Sequence, residues 1–149
     1  MEHRIAMVIP YLSPPDQAVP SPPPYFPAFA RSAAGSSALV DFLIFHDGAV
    51  PDHLLPPPHD PSDPHSLPPN VKWINLGGLD RMARLFLRVA DRRIERGELK
   101  VEEDVLAGVI GRHIRGYPYV LVEFKAAYGH VFEEYLKVRL RVDNGARQG

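Results

Sequence analysis

The sequence contains no cysteine, and its charges nearly balance. The missing cysteine excludes disulfide bonds, cysteine nucleophiles and the usual zinc-finger ligand sets, and it leaves the redox compartment undetermined. Lysine and arginine total 17 against 18 aspartate and glutamate residues, so the formal net charge is -1. No overall electrostatic field would therefore hold the chain on nucleic acid or on an anionic membrane, and neither partner is expected.

Long apolar runs and common catalytic motifs are also missing. The first apolar run ends at Pro10, whereas a membrane-spanning helix needs about 20 apolar residues and a signal peptide needs a longer run than this one. We expect a soluble chain without a membrane segment, cytoplasmic by default. No Gly-x-Ser-x-Gly elbow occurs, and no glycine-rich loop follows the first strand. Hydrolase, P-loop and dinucleotide-binding functions therefore lack support.

The centre of the predicted fold is the stretch DFLIFHD at residues 41–47, an unbroken apolar run between two acids. A strand that is apolar on both faces must be covered on both, as in a parallel sheet flanked by helices. A second apolar run, Arg4 to Pro10, predicts the first strand, and Ala28 to Ala38 predicts a short helix between them. The order strand, helix, strand predicts that the two strands are parallel neighbours.

The rest of the chain extends this α/β pattern. A length of 149 residues and 45% hydrophobic content predict a single domain over residues 1–142, followed by a disordered tail at 143–149. Spacing and composition predict further elements: a strand at Asn70–Leu76, an amphipathic helix at Leu79–Ile94, a shorter helix at Val101–Ile110, a strand or extended segment at Tyr117–Phe124, a helix at Ala126–Lys137 and a half-buried strand at Val138–Val142.

Most of the 17 prolines lie in residues 13–27 and 51–69. Such segments favour extended polyproline conformations, so both are predicted to be exposed loops, and the second has the composition of a disordered segment. The spacing PxxP at Pro20–Pro23 and Pro61–Pro64 raises an alternative function. In this alternative the chain is a non-catalytic interaction module whose proline-rich loops bind protein partners of the SH3 or WW kind.

Three stretches read in order resemble one known family: RIAMVIPY at residues 4–11, DFLIFHD at 41–47 and FKAAYGHVFEEYLK at 124–137. They look like a glycosyltransferase-like domain family of the GT-A type, found in bacteria and algae and without an assigned activity. The shared features include an aromatic-proline stretch at Tyr25–Pro27, an Asn-Val-Lys-aromatic strand at Asn70–Trp73 and an acid-x-Lys segment that begins at Glu123. The similarity extends from Arg4 to Lys137.

The resemblance implies a Rossmann-like, mostly parallel sheet that binds a nucleotide sugar, with a divalent manganese or magnesium ion on the diphosphate. It places the nucleoside beside Pro10, Tyr11 and Asp47. Lys125 and Tyr128 would meet the diphosphate, since a lysine and a helix N-terminus both favour phosphate.

Where the family continues with Gly-Asp-x-Asp, this chain reads VRLRVDNGARQG, so Asp143 is the only candidate metal ligand and Gly145 replaces the second acid. The chain therefore corresponds to the nucleotide-binding portion alone, and we expect it to be incomplete or inactive as a transferase.

Simpler structural roles compete with these functional ones. Asp47 also suits a turn acid after a strand, Lys125 a solvated surface residue and Tyr128 a packing aromatic, while Asp143 suits a solvated tail. The histidines of the segment from His46 to His65 are spaced irregularly and do not form a zinc signature. The arginine-rich face of the long helix is most simply a solvated face paired with Asp91 and Glu95.

Overall fold

The computed structural model of the chain describes residues 5–13, 21–95, 103–117, 121 and 128–136. Two compact units are present, Met1–Leu79 and Asp80–Gly149. The expectation of one domain over residues 1–142 stays a prediction. The elements, in chain order, are β1 (Ile5–Tyr11), α1 (Phe26–Ala34), β2 (Val40–His46), a 3-10 turn (Asp52–Leu54), β3 (Val71–Asn75), α2 (Leu79–Glu95), α3 (Glu103–Gly116) and α4 (Tyr128–Val131).

The three strands form one parallel sheet in the order β1-β2-β3. Ile5 lies opposite Val40 in the first pair of strands, and Phe42 lies opposite Val71 in the second. The prediction that the two apolar runs are parallel neighbours is confirmed, and so is the mixed α/β class. Leu43 and Phe45 are as buried as Ile44, so β2 is covered on both faces, as its unbroken apolar run predicts.

β1 continues through Pro10 to Tyr11, one residue beyond the predicted end. The N–H of Ile5 donates to the carbonyl of Leu39 at 2.8 Å, so Ile5 and every second residue after it direct their backbone groups towards β2. Pro10 therefore belongs to the alternate set, whose backbone groups face away from β2. Its missing N–H removes no bond from the β1–β2 ladder, which explains why a proline is tolerated inside this strand.

α1 covers one face of the sheet with aromatic side chains. The ring of Phe26 lies 5.0 Å from that of Trp73, and the ring of Phe29 meets that of Phe42 edge-on at 5.3 Å. Phe26, Phe29 and Ala33 lie on one face of the helix, because residues three, four and seven positions apart share a helical face. Aromatic pairs in such tilted and edge-on arrangements add to the stabilisation from buried area.

The proline-rich segment 51–69 is a mostly exposed loop that is anchored to the core at one residue. Leu67 is only 4% exposed and belongs to the same hydrophobic cluster as Phe26 and Ile44. The ring nitrogen Nδ1 of His59 lies 3.0 Å from the carbonyl oxygen of Leu67, and the hydroxyl of Ser66 lies 2.8 Å from the carbonyl oxygen of Asp60. Burial of one leucine and these local hydrogen bonds hold a segment whose composition alone suggests an unfolded chain.

The second unit is built on α2, α3 and α4. The ring of Phe86 lies 6.2 Å from that of Tyr128 and 6.1 Å from that of Phe132, and all three are buried. On the surface, Arg84 pairs with Asp80 at 2.9 Å and with Asp104 of α3 at 2.8 Å. On the arginine-rich face, Arg84 is thus paired with an acid of the first turn of α2 and with an acid of α3. The expected pairing with Asp91 and Glu95 stays a prediction, because the side chains of residues 88–95 are not described.

The structure describes only part of the C-terminal segment, residues 121 and 128–136. Helical structure at Tyr128–Val131 confirms the centre of the helix predicted at Ala126–Lys137. Leu121 is helical rather than extended, which does not agree with a strand through the middle of Tyr117–Phe124. The strand predicted at Val138–Val142 and the tail lie outside the described residues.

Asn70 provides a test of how β2 is held to α1. This residue is 0% exposed, and its Nδ2 donates to the carbonyl oxygens of Ala33 and Val40, each at 2.9 Å. Asn70→Ala would remove both of these hydrogen bonds, so we expect a loss of about 1–3 kcal/mol in the free energy of unfolding measured in urea. Lys72→Ala, at an exposed position of β3, is the control and should change stability by less than about 0.5 kcal/mol. Equal losses in the two variants would contradict the role given to Asn70.

Candidate functional site

The carboxyl ends of the three strands bring polar side chains to one edge of the sheet. The register aligns Tyr11 with His46, and His46 with Asn75. Asp47 follows β2 directly, and Ser13 and Asp52 lie in the adjoining loops. We call these six residues, Tyr11, Ser13, His46, Asp47, Asp52 and Asn75, the carboxyl-edge cluster. This is the edge at which open parallel sheets bind ligands.

Asp47 has one carboxylate oxygen in local contacts and one available. Its Oδ1 accepts a hydrogen bond from the backbone N–H of Ala49 at 3.1 Å, and it lies 3.4 Å from the hydroxyl of Ser13. The contact with Ala49 is the turn role expected of an aspartate after a strand. Among the described residues, Oδ2 of Asp47 has no hydrogen-bond partner. One side chain can therefore hold the turn and still accept a hydrogen bond from a ligand.

Tyr11 is fixed at both ends of its side chain. Its hydroxyl donates to the carbonyl oxygen of Ser21 at 2.9 Å, and its ring meets that of Trp73 edge-on at 5.7 Å. Burial raises the pKa of Tyr11 above its usual value, and the nearby Tyr25 and Asp47 raise it further. The phenol is therefore neutral at physiological pH, and its ring is a rigid, amphipathic wall of the cluster.

His46 is a buried, neutral histidine, 1% exposed at the end of β2. Its Nδ1 lies 3.3 Å from the backbone nitrogen of Gly48 and accepts its N–H, so the neutral ring carries its proton on Nε2. Burial lowers the pKa of His46, and this effect outweighs the opposite influence of Asp47 and Asp52. His46 thus holds the loop after β2 only in its neutral form.

Asn75 ties the loop after β2 to the loop after β3. Its Oδ1 accepts the N–H of Gly77 at 2.7 Å, and its Nδ2 lies 3.3 Å from Oδ1 of Asp52. Gly48 has a φ of +80°, and a Cβ placed there would lie 2.7 Å from Oδ1 of Asn75. The two loops therefore approach so closely that only a glycine fits at position 48 without displacement.

The structure brings together only some of the residues proposed from the sequence. Pro10, Tyr11 and Asp47 meet at the carboxyl edge. Tyr128 belongs to the second unit, where its buried hydroxyl donates to the carbonyl of Leu121, and burial raises its pKa to about 12. Its observed contacts are those of a packing aromatic, and a role in phosphate binding stays a prediction. Lys125 and Asp143 lie outside the described residues.

Four residues of the carboxyl-edge cluster were not proposed from the sequence: Ser13, His46, Asp52 and Asn75. The usable signal was the register. If parallel strands end together, the last residues of neighbouring strands must align, and this would have placed His46 beside Tyr11 and Asn75 beside His46.

The family resemblance implies a divalent metal ion, so the described residues were searched for side chains that could bind one. In the described part of the chain, no group of three or more histidine, cysteine, aspartate or glutamate side chains is placed to hold a metal ion. Asp47 and Asp52 are the carboxylates of the carboxyl-edge cluster, and each contacts a protein donor through Oδ1. A diphosphate-bound ion normally takes oxygen ligands from more than one protein position. The described residues do not supply that set, and the metal stays a prediction.

Comparison of the sequence with protein-family models, with curated proteins and with solved structures gave no match. The described helices also include none that is both long and apolar enough to cross a membrane.

Gly48 offers a test of the close approach between the two loops. We expect Gly48→Ala to destabilise the fold by about 1–3 kcal/mol, because alanine at this positive φ is strained and its methyl group meets Asn75. Gly77→Ala is the matched control: its φ is +74°, but nothing lies within 4 Å of the added Cβ. Thermal or urea unfolding should show a smaller loss for Gly77→Ala. If Gly77→Ala destabilised the fold as much as Gly48→Ala, backbone strain alone would explain both losses, and the contact with Asn75 would contribute nothing.

His46 predicts a pH dependence of stability. Because the pKa of His46 is lowered in the folded state from its usual 6.5, the unfolded chain takes up the proton more readily. The stabilisation is therefore complete above the unfolded value and declines as the pH falls through the lowered folded value. His46→Asn retains a side-chain acceptor for the N–H of Gly48 but does not titrate. Urea unfolding between about pH 7.5 and about pH 5 should show wild type losing more stability than the variant. Parallel curves would contradict this assignment.

Proposed function

We propose that the chain binds a nucleotide at the carboxyl-edge cluster, as the nucleotide-binding portion of a GT-A-like domain whose ligand is a nucleotide sugar. The observation that supports this proposal most directly is the parallel pairing of β1 with β2, which sets Tyr11 beside His46 and Asp47 at the ligand-binding edge of an α/β sheet. The motif resemblance at Pro10, Tyr11 and Asp47 points to the same edge.

Each residue at the edge has a chemical role in this proposal. Oδ2 of Asp47, which has no partner among the described residues, accepts hydrogen bonds from the ribose hydroxyls or from an N–H of the base. A charged acceptor makes such bonds stronger than a neutral one. The ring of Tyr11 supplies a flat apolar surface for the nucleoside. His46 does not touch the ligand; it positions the turn that carries Asp47 by accepting the N–H of Gly48.

The proposal is limited to binding. Transfer of a sugar requires stabilisation of the leaving diphosphate by a metal ion or a cationic group. The residues named for that task, Lys125 and Asp143, lie outside the described part of the chain. A complete transfer reaction is therefore not assigned to these 149 residues.

The alternative, a proline-dependent interaction module, has less support. Recognition of PxxP requires an extended polyproline helix, whereas residues 61–65 include turns. Asp60 accepts the N–H of Ser62 at 2.8 Å, and Asp63 accepts that of His65 at 2.8 Å. The segment Pro61–Pro64 thus has a folded local conformation that does not suit such a partner. Pro20, in the other PxxP spacing, is outside the described residues.

Titration calorimetry with uridine diphosphate, in buffers with and without manganese, tests the proposal. We expect binding by the wild-type chain, and about tenfold weaker binding by Asp47→Asn, because the amide retains the turn but loses the charged acceptor. Asp63→Asn is the matched control: it changes the net charge equally and also replaces an aspartate that accepts a backbone N–H two residues on. Absence of heat in both buffers, or equal weakening by the two variants, would refute the nucleotide site.

A further inference from the structure

The edge of β1 that faces away from β2 is exposed and apolar. Ile5 is 63% exposed and Met7 is 48% exposed, and Leu39, whose carbonyl bonds to Ile5, is 60% exposed. No charged residue occurs in β1 (Ile5–Tyr11). Natural edge strands usually carry charges or bulges that prevent pairing with another strand. This edge has neither a charge nor a strand partner among the described residues.

The backbone groups available on this edge are few and specific. Ile5, Met7 and Ile9 direct their N–H and C=O groups towards β2, because the N–H of Ile5 bonds to Leu39 and the register continues unbroken from there. Ala6 and Val8 direct theirs outward. Pro10 is the next outward residue, and it offers only a carbonyl oxygen. The edge therefore presents two complete donor–acceptor pairs, followed by a position that cannot donate.

We propose that this edge binds a second copy of the same chain, with the two β1 strands antiparallel and Met7 on the two-fold axis. In this register, Ala6 faces Val8 of the second copy, and the two residues form two backbone hydrogen bonds, each N–H donating to the carbonyl of the other residue. The two-fold axis repeats this pair, so Val8 bonds in the same way to Ala6 of the second copy. Every outward N–H of the two strands from Ala6 to Val8 is used. Centring the pair on Val8 instead would set Ala6 against Pro10, which has no N–H to return. The proline thus disfavours the register centred on Val8.

We infer that the partner is a second copy of this chain because β1 is uncharged and its backbone donors and acceptors are self-complementary. An uncharged strand meets an identical strand without like-charge repulsion, and the alternation of donors and acceptors matches itself under two-fold rotation. Met7 faces Met7 of the second copy, and Ile5 faces Ile9, on the face of the sheet that holds α1. The two three-stranded sheets become one continuous sheet, which covers Ile5 and Met7. An interface formed by one strand pair is small, so we expect reversible dimers that depend on concentration.

Disulfide trapping tests the register, since the chain has no cysteine of its own. Met7→Cys places two thiols opposite each other at a Cα separation of about 4.5 Å, within the range for a disulfide. We expect rapid formation of a covalent dimer under mild oxidation. Ala6→Cys, on the same exposed strand, would place its thiols diagonally at about 7–8 Å and should link slowly. Val105→Cys, 53% exposed on α3, measures random collision. Equal rates at positions 6, 7 and 105 would overturn the proposal.

Sedimentation equilibrium of the unmodified chain provides a second, independent measurement. Wild type should show a monomer–dimer equilibrium, and Met7→Lys should shift it towards monomer by at least about tenfold in dissociation constant, because two lysines would meet on the axis. Val105→Lys should leave the equilibrium unchanged. Thermal unfolding of both variants controls for loss of fold. A wild-type chain that remains monomeric at every concentration, or that forms only large aggregates, would refute the inference.

Discussion

The arrangement of the first unit depends on one constraint, the burial of β2 on both faces between two parallel neighbours. Leu43, Ile44 and Phe45 have no polar alternation, so neither face of the strand can remain in water. Parallel pairing on both sides satisfies the backbone of this strand and brings three strand ends to a common edge. The aromatic face of α1, the burial of Leu67 and the hydrogen bonds of Asn70 are all ways of covering or anchoring that strand.

The same constraint determines the chemistry at the carboxyl edge. Because β2 is central, its last residue, His46, is buried and remains neutral, and its ring nitrogen accepts the N–H of Gly48. The turn that follows is held by Asp47 on one side and by Asn75 on the other. This leaves Oδ2 of Asp47 as an acceptor on a rigid support. A preorganised acceptor of this kind loses little conformational entropy when a ligand binds.

The two proposals concern different edges of one sheet. The nucleotide would bind where the strands end, whereas the second copy would pair along the side of β1. Pro10 belongs to both regions: its side of the strand limits the pairing register, and its place next to Tyr11 puts it beside the proposed nucleoside. The two proposed functions can therefore be tested separately, one by substitution of Asp47 and the other by substitution of Met7.

The sequence alone determined the elements whose signals are local. The unbroken apolar run of β2, the spacing of the helix at Leu79–Glu95 and the strand–helix–strand order all arise from neighbouring residues, and the structure confirms them. Tertiary structure decided what depends on distant contacts. The loop 51–69 is anchored because Leu67 reaches the core, His46 is neutral because it is central, and Gly48 is required because Asn75 of another strand lies against it. None of these can be read from composition, since each depends on residues that only the folded chain brings together.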